Sequence, residues 1–315
     1  MAFVDDLQRY GPDARAAPPP SRDEAIAYCD RLTSSHYENF QVATWLTPRP
    51  LRPAFRSIYA FCRWSDDLGD EVDTPAEATH LLAWWRGELT AMFAGDAPRH
   101  PVMIALAETV STHALPIGPF EDLISAFEQD QVVREYETYD QLLDYCRRSA
   151  NPVGRLVLHL GGPHEAEDVR LSDLTCTGLQ LANFWQDVAR DLAIGRIYLP
   201  REDRDRFGFR RDDLLALRFT PEFAALLAFE VGRARDLLRR GRALVDRMPG
   251  PLAIDVDLFS RGGLAILDRI EAVGFDVLTT RPKLGKVAKF RLLAGAILGA
   301  RRRPARAAIV PGRLA

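Results

Sequence analysis

Two pairs of aspartates constrain this chain more than any other feature of its sequence. Asp66 and Asp70 form one pair, Asp187 and Asp191 form the other, and the members of each pair are four residues apart. In a helix, that spacing places both carboxylates on one face. Both pairs lie among apolar and aromatic residues, which indicates the wall of a cavity more than a solvated surface. Four carboxylates that converge in such a place repel one another, so we expect a cation between them.

Mg²⁺ is the cation that the sequence favours. It takes octahedral oxygen ligands, keeps some of its waters, and binds a few carboxylates together with substrate phosphates. Asn183, four residues before Asp187, would offer an amide oxygen on the same helix face, and Gln180 lies on the adjoining turn. We therefore expect a diphosphate that Mg²⁺ holds between two acidic helices. For either pair alone the alternative is a solvated helix face, where Asp-x-x-x-Asp is common.

Three arginines are candidates for binding the diphosphate oxygens, because a guanidinium binds phosphate in bidentate fashion. They are Arg63, Arg190 and Arg196. For Arg190, which is next to Asp191, an ordinary surface salt bridge is the alternative. Four aromatic side chains could line an apolar channel and stabilise a carbocation through their π-faces, with plain core packing as the alternative. These are Phe40, Tyr145, Trp185 and Tyr198.

Composition and motifs exclude several other classes of protein. The formal net charge of −3 gives no reason to expect a nucleic-acid partner. No glycine-rich nucleotide-binding motif and no Ser-His-Asp arrangement is present. The four cysteines are scattered, which is typical of a reducing compartment. We expect neither a signal peptide nor a membrane span, and hence a cytoplasmic protein.

The spacing of apolar residues predicts an all-α protein with a single domain. Residues 1–21 are expected to form an irregular arm, 22–300 the domain, and 301–315 a basic tail. Ser21 and Glu24 have the spacing of a capping box before the first helix. A charged loop through Arg211 could act as a lid or be simply solvated. The predicted helices cover about 23–32, 54–72, 75–95, 101–114, 120–136, 139–160 with Pro152 as a kink, 171–192, 220–248, 251–274 and 282–302.

The C-terminal segment is basic. From Arg281 onward the chain has ten basic residues and no acidic one. Lys283, Lys286 and Lys289 stand among apolar residues, so this segment could lie as a basic amphipathic helix on the anionic inner membrane. A final packed helix with a solvated basic face is the alternative.

Three stretches of this sequence resemble the head-to-head isoprenoid synthases, the family of squalene, dehydrosqualene and phytoene synthases. The stretches are Ile58-Tyr-Ala-Phe-Cys-Arg-Trp-Ser-Asp-Asp-x-x-Asp-Glu71, Gln180-Leu-Ala-Asn-Phe-Trp-Gln-Asp-x-x-x-Asp191 and Gly195-Arg-Ile-Tyr-Leu-Pro200. The resemblance implies the all-helical isoprenoid synthase fold around a central apolar cavity, Mg²⁺ as cofactor, and a polyprenyl diphosphate substrate. It implies that the four aspartates bind the metal. It also places further residues around the active site: Tyr59, Arg63, Tyr145, Gln180, Asn183 and Arg196.

Two further stretches resemble the bacterial hydroxysqualene synthases of the hopanoid pathway. They are His36-Tyr-Glu-Asn-Phe40, with Asn39 where many members have serine, and the Arg147–Gly154 stretch after Tyr145. This resemblance implies conversion of presqualene diphosphate and water to hydroxysqualene, with release of diphosphate and no use of NADPH. A polar group must then position the water, and the candidates are His36, Tyr37, Asn39 and Asn151.

Two alternatives to this function stay open from the sequence. The first is head-to-head condensation of two farnesyl diphosphates to presqualene diphosphate or to a carotenoid-type product. The second is a non-catalytic relative that acts as an assembly factor. All four aspartates are present, which speaks against the second alternative.

Overall fold

The structure is a computed structural model that describes residues 2–14, 18–35, 48–162, 164–248 and 250–301. The described residues form helices and contain no β-strand, only an isolated bridge between Glu135 and Ile197. The predicted all-α class is therefore confirmed. The chain divides into two compact units, Met1–Val132 and Val133–Ala315, and each is described by itself. The predicted domain of residues 22–300 stays a prediction.

The first unit contains six α-helices within its described residues. A short 3₁₀ turn, Arg49–Leu51, comes directly before the third of them. They are α1 Ala2–Tyr10, α2 Arg22–Ser35, α3 Arg52–Asp70, α4 Pro75–Ala94, α5 Pro101–His113 and α6 Gly118–Asp130.

The second unit contains eight α-helices within its described residues and a 3₁₀ turn, Arg242–Asp246. They are α7 Tyr139–Ser149, α8 Asn151–Leu160, α9 Ala166–Ala193, α10 Arg201–Arg206, α11 Arg211–Leu215, α12 Pro221–Gly241, α13 Gly250–Ala272 and α14 Lys286–Arg301. In the described parts of both units, no helix combines the length and the apolar character that crossing a bilayer requires.

The core of the first unit packs against one face of α3. Phe61, Trp64 and Trp85 are fully buried there, and their rings stack at centroid distances of 5.6–5.7 Å. His100 lies edge-on to Trp64 at 4.3 Å, and its burial lowers the imidazole pKa to about 3. The Trp64 indole N–H donates to the Tyr28 hydroxyl at 2.8 Å, so its one polar group is satisfied.

Several predicted boundaries need correction. Residues 2–10 form helix α1 where an irregular arm was expected. The helix predicted for 139–160 is two helices, because the backbone leaves the helical region at Ala150 and Pro152 stands in the first turn of α8. Helix α6 ends at Asp130 rather than near Tyr136. The capping box is confirmed, since the Ser21 backbone N–H donates to Glu24 at 2.8 Å and the Glu24 N–H donates to the Ser21 hydroxyl.

The charged segment after Pro200 is not a solvated loop. It forms α10 and α11, and Asp203 and Arg204 are each only 2% exposed. Arg204 forms an ion pair with Glu135, and Asp203 accepts from Arg233 of α12 at 2.6 Å. These part-buried ion pairs anchor the segment to its own unit, which argues against both the lid and the solvated loop that the sequence left open.

Helix α9 is the central element of the second unit and packs against α8, α12 and α13. Gly178 makes the close approach to α12 feasible. A Cβ atom at this position would lie 2.8 Å from Leu238 Cγ and 3.2 Å from the carbonyl oxygen of Ala234. Leu238 is fully buried, so neither contact can relax without shifting the helix.

We predict that Gly178→Ala destabilises the protein. Overpacking against α12 should lower the free energy of unfolding by about 1–3 kcal/mol, measured by thermal unfolding followed by circular dichroism. The matched control is Gly87→Ala in the interior of α4, where no atom lies within 4 Å of the new methyl group. That change should stabilise the helix by up to about 1 kcal/mol. Equal effects of the two substitutions would contradict the close packing of α9.

The Glu230 carboxyl of α12 makes stability depend on pH. Burial raises its pKa to about 8, and its contact with Asp203 adds to the shift. The folded protein thus keeps the proton up to about pH 8, whereas the unfolded chain releases it near 4.5. The stability of the wild type therefore falls as the pH rises through this window.

We predict that Glu230→Gln removes this part of the pH dependence, because glutamine cannot ionise. The melting temperature of the variant should exceed that of the wild type by a margin that grows from pH 5 to pH 8. Glu77→Gln, at the exposed start of α4, should follow the wild-type curve. Parallel curves for Glu230→Gln and the wild type would refute the assignment.

Candidate active site

The first aspartate pair occupies the last turns of α3. Its carboxylates turn away from the face that buries Phe61 and Trp64. The Asp66 side chain is 41% exposed, and Asp70, the last residue of the helix, is exposed. The four-residue spacing in a continuous helix keeps the two side chains on one face, as predicted.

Arg63 is bound within this motif. Its guanidinium donates to Asp66 at 3.2 Å and forms a second ion pair with Asp67, which is 2% exposed. Burial raises the pKa of the Asp67 carboxyl to about 6, although Arg63 opposes the shift. The neighbouring Tyr59 is half-buried, and burial raises its pKa too. Asp67 was not singled out from the sequence, because its burial depends on packing against the rest of the unit.

The second pair lies on α9. Asn183, Asp187 and Asp191 follow one another at four-residue intervals, with Asn183 exposed and the two aspartates half-buried. Gln180 is also half-buried, on the turn before Asn183. The helix is unbroken from Ala166 to Ala193, so the predicted row of oxygen donors is present on one face.

Arg281 is the partner of Asp187 that the sequence did not reveal. Its Nε and Nη2 atoms donate to the two oxygens of the carboxylate, and the Nη2–Oδ2 distance is 2.9 Å. The adjacent residues are also paired, since the Gln186 side-chain amide donates to the Pro282 carbonyl. Arg190 is 4.0 Å from Asp187 and 69% exposed, which agrees with the surface salt bridge considered for it.

The oxygen donors fit a hard cation such as Mg²⁺. Each pair offers carboxylates at helical spacing, and the second adds an amide oxygen. In either unit by itself, the described residues contain no group of three or more His, Cys, Asp or Glu side chains that could hold a metal ion. An ion at one pair alone would need further oxygen ligands, and water and phosphate supply these for Mg²⁺. The Arg281 guanidinium places one positive charge beside the second pair.

Four aromatic rings form a cluster beside α9 in the second unit. The Phe184 and Tyr198 rings stack at 3.7 Å with an interplanar angle of 10°, and Tyr145 lies 5.9 Å from Tyr198. Tyr136 stacks on Tyr198 at 5.9 Å, and each of the four residues is less than 9% exposed. Tyr145 and Tyr198 were predicted as channel residues. Tyr136 was not, because it lies in the connection between α6 and α7 and only the fold brings it to this cluster.

Three other candidates have contacts within the second unit. Asn151 is 5% exposed, and its side-chain oxygen accepts from the Thr177 hydroxyl of α9 at 2.9 Å. Arg196 is half-buried, and its backbone N–H closes the end of α9 by donating to the Asp191 carbonyl at 2.8 Å. Trp185 is fully buried and packs beside Phe184.

The candidates His36, Tyr37, Asn39 and Phe40 lie outside the described residues.

Comparison with known proteins gives consistent results. The sequence matches the squalene/phytoene synthase family over residues 33–288. It is 32% identical over 291 residues to the 15-cis-phytoene synthase of a Synechocystis strain, covering 87% of this chain and 85% of that protein. It is 33% identical over 220 residues to the hydroxysqualene synthase of Sinorhizobium fredii, covering 69% of this chain and 74% of that protein.

A solved structure is similar over most of the chain. It is the crystal structure of squalene synthase HpnC from Alicyclobacillus acidocaldarius, with a TM-score of 0.77 and 47% sequence identity over 81% of this chain and 95% of that one. This similarity confirms the predicted isoprenoid synthase fold. The family match, the relatives and the paired acidic motifs agree: the chain belongs to the squalene/phytoene synthase family of isoprenoid synthases.

Proposed function

We propose that this protein is a hydroxysqualene synthase. It would convert presqualene diphosphate and water to hydroxysqualene and diphosphate, with no use of NADPH. The observation that carries the proposal is the pair of acidic helix faces in a chain that also has the His36–Phe40 and Arg147–Gly154 stretches. The hydroxysqualene synthase and the squalene synthase among its relatives support the choice.

The diphosphate end of the substrate would be bound by the two acidic motifs. We propose that Asp66, Asp70, Asp187 and Asp191 hold Mg²⁺, with Asn183 and Gln180 as further oxygen donors. The metal would neutralise the repulsion between the carboxylates and the diphosphate and stabilise the leaving group. The guanidinium groups of Arg63, Arg190 and Arg196 would bind or orient the diphosphate oxygens.

The apolar end would be held by aromatic residues. The buried stack of Tyr136, Tyr145, Phe184 and Tyr198 offers π-faces, which stabilise a nearby positive charge without supplying a nucleophile. Exclusion of bulk water by this cluster would leave a single positioned water as the nucleophile. We propose Asn39 and His36 as the groups that position it, with Tyr37 and Asn151 as further candidates. Tyr59 would support Arg63 beside the first pair.

A second function is favoured by the phytoene synthase among the relatives. This is head-to-head condensation of two farnesyl diphosphates to presqualene diphosphate or to a carotenoid-type product. It would use the same carboxylates, so metal binding alone does not separate the two functions. A non-catalytic role as an assembly factor would leave the four aspartates without a task.

The substrate assay separates these functions. Purified protein with Mg²⁺ and without NADPH receives either presqualene diphosphate or farnesyl diphosphate, in water enriched in ¹⁸O, and products are identified by mass spectrometry. We expect hydroxysqualene from presqualene diphosphate only, with ¹⁸O in its hydroxyl group. Removal of Mg²⁺ with EDTA should stop turnover.

Variants of the aspartates accompany this assay. Asp66→Asn and Asp187→Asn should each lower turnover by at least about a hundredfold, because each removes a carboxylate from the leaving-group site. Asp73→Asn, at an exposed position three residues after Asp70, should leave turnover unchanged. A product formed from farnesyl diphosphate alone, or full activity of Asp187→Asn, would overturn the proposal.

We propose further that α14 contacts the anionic face of the inner membrane. Val287 and Phe290 are 66% and 69% exposed, and Leu298 farther along the helix is 55% exposed. Exposed lysines at 286 and 289 flank this apolar stripe. Apolar side chains bordered by lysines match the interface of an anionic bilayer, where an isoprenoid product would also partition.

Vesicle co-sedimentation tests this contact. The double variant Val287→Ser/Phe290→Ser should lower the fraction bound to phosphatidylglycerol vesicles by at least about threefold. Val132→Ser, which removes a 77% exposed valine outside α14, should bind like the wild type. Equal binding of the double variant, or equal binding to neutral vesicles, would favour a helix face that is only solvated.

A further inference from the structure

We infer that Arg281 is an internal counter-cation of the second aspartate pair, which binds Asp187 and competes with a metal ion for that carboxylate. The inference rests on the proposed function, since it concerns the same carboxylate. It assigns a role to a residue that comes from the segment between α13 and α14 and that no motif in the sequence marks.

The geometry of the pair is that of a specific fork. Arg281 Nε and Nη2 each donate to a different oxygen of Asp187, so both carboxylate oxygens are engaged. The Arg281 and Asp187 side chains are 29% and 21% exposed, and solvent screening is therefore reduced compared with a surface pair. Planar bidentate pairing is the strongest form of an arginine–carboxylate interaction.

The segment that carries Arg281 is attached to α9 at a second point. Gln186 and Asp187 are neighbours on the helix, and Pro282 and Arg281 are neighbours on the segment. The Gln186 amide donates to the Pro282 carbonyl, one residue along from the arginine–aspartate pair on both partners. Gln186 is 7% exposed, so this hydrogen bond is shielded from water and fixes the segment in register with the acidic motif.

Metal and guanidinium would compete for Asp187, because the fork engages a lone pair on each carboxylate oxygen and places a positive charge beside both. A divalent ion binds a carboxylate oxygen at about 2.0–2.1 Å and would stand next to a guanidinium that donates to the same oxygens. The two cations repel one another at that distance. Only molecules in which the Arg281–Asp187 pair is broken bind the metal with full affinity. The apparent metal affinity of the free protein is therefore reduced in proportion to the fraction of such molecules.

Arg190 provides a matched comparison. It also carries one positive charge near Asp187, with Nη1 at 4.0 Å from Oδ1, but it is 69% exposed and makes no fork. Loss of either arginine removes the same charge from the surroundings of the same carboxylate. Only the loss of Arg281 also removes the two hydrogen bonds to the Asp187 carboxylate oxygens and leaves them accessible to a metal ion.

The experiment measures metal binding without substrate. Mn²⁺ serves as the probe, and the free ion is counted by electron paramagnetic resonance during titration of the full chain. Arg281→Gln should lower the dissociation constant for Mn²⁺ by about three- to tenfold, the factor that a half-buried ion pair contributes. Arg190→Gln should change it by less than about twofold, as expected for an exposed pair.

A double-mutant cycle identifies the carboxylate. Asp187→Asn should weaken Mn²⁺ binding, and in that background Arg281→Gln should have no further effect, because the competed site is gone. If Arg281→Gln does not fold, Arg281→Lys decides: a lysine keeps the charge but loses the fork, so Mn²⁺ should again bind more tightly than in the wild type.

The outcomes separate this inference from the proposed function. An unchanged Mn²⁺ affinity in Arg281→Gln, while Asp187→Asn weakens binding, overturns the competition and leaves the metal site intact. An unchanged affinity in Asp187→Asn overturns the metal role of this aspartate, and with it the proposed function. An equal gain in Arg190→Gln and Arg281→Gln assigns the effect to net charge and also overturns the inference.

Discussion

Repulsion between carboxylates on one helix face is the constraint on which both motifs depend. In each unit an arginine compensates it. Arg63 pairs with Asp66 and Asp67 along α3, so its partners come from its own helix. Arg281 reaches Asp187 from a segment 94 residues away, so this compensation exists only in the folded unit. Each acidic face thus carries a compensating guanidinium, which in the second motif comes from outside the helix.

Apolar packing decides where these charges point. Burial of Phe61 and Trp64 fixes the rotation of α3 and thereby directs Asp66 and Asp70 away from the core of their unit. In the second unit, Gly178 lets α9 lie close to α12, and this contact fixes the rotation of α9. The aromatic stack of Phe184 and Tyr198 then stands beside the acidic face of the same helix. In both α3 and α9, one face therefore packs into the core of its unit, and another face carries the acidic residues.

The local parts of this arrangement could be predicted from sequence, and the non-local parts could not. The helical class, the capping box at Ser21 and the spacing of the aspartates follow from periodicity and short-range hydrogen bonds. Helices α10 and α11 were missed because part-buried ion pairs between distant residues, such as Arg204–Glu135, stabilise that charged segment. The pairing of Arg281 with Asp187 was missed because it also joins residues that are far apart in the sequence. In the sequence, Arg281 is only the first of ten basic residues in the C-terminal segment, and nothing local separates it from the others.

The most direct test of this account is a crystal structure of the protein grown with Mn²⁺ and a non-hydrolysable diphosphate substrate analogue, with anomalous scattering used to locate the metal. We expect Mn²⁺ on the carboxylates of Asp187 and Asp191 and on those of Asp66 and Asp70, with the analogue's phosphates completing the coordination and Arg281 displaced from Asp187. Mn²⁺ bound away from these aspartates, or an intact Arg281–Asp187 pair beside a fully occupied metal site, would contradict it.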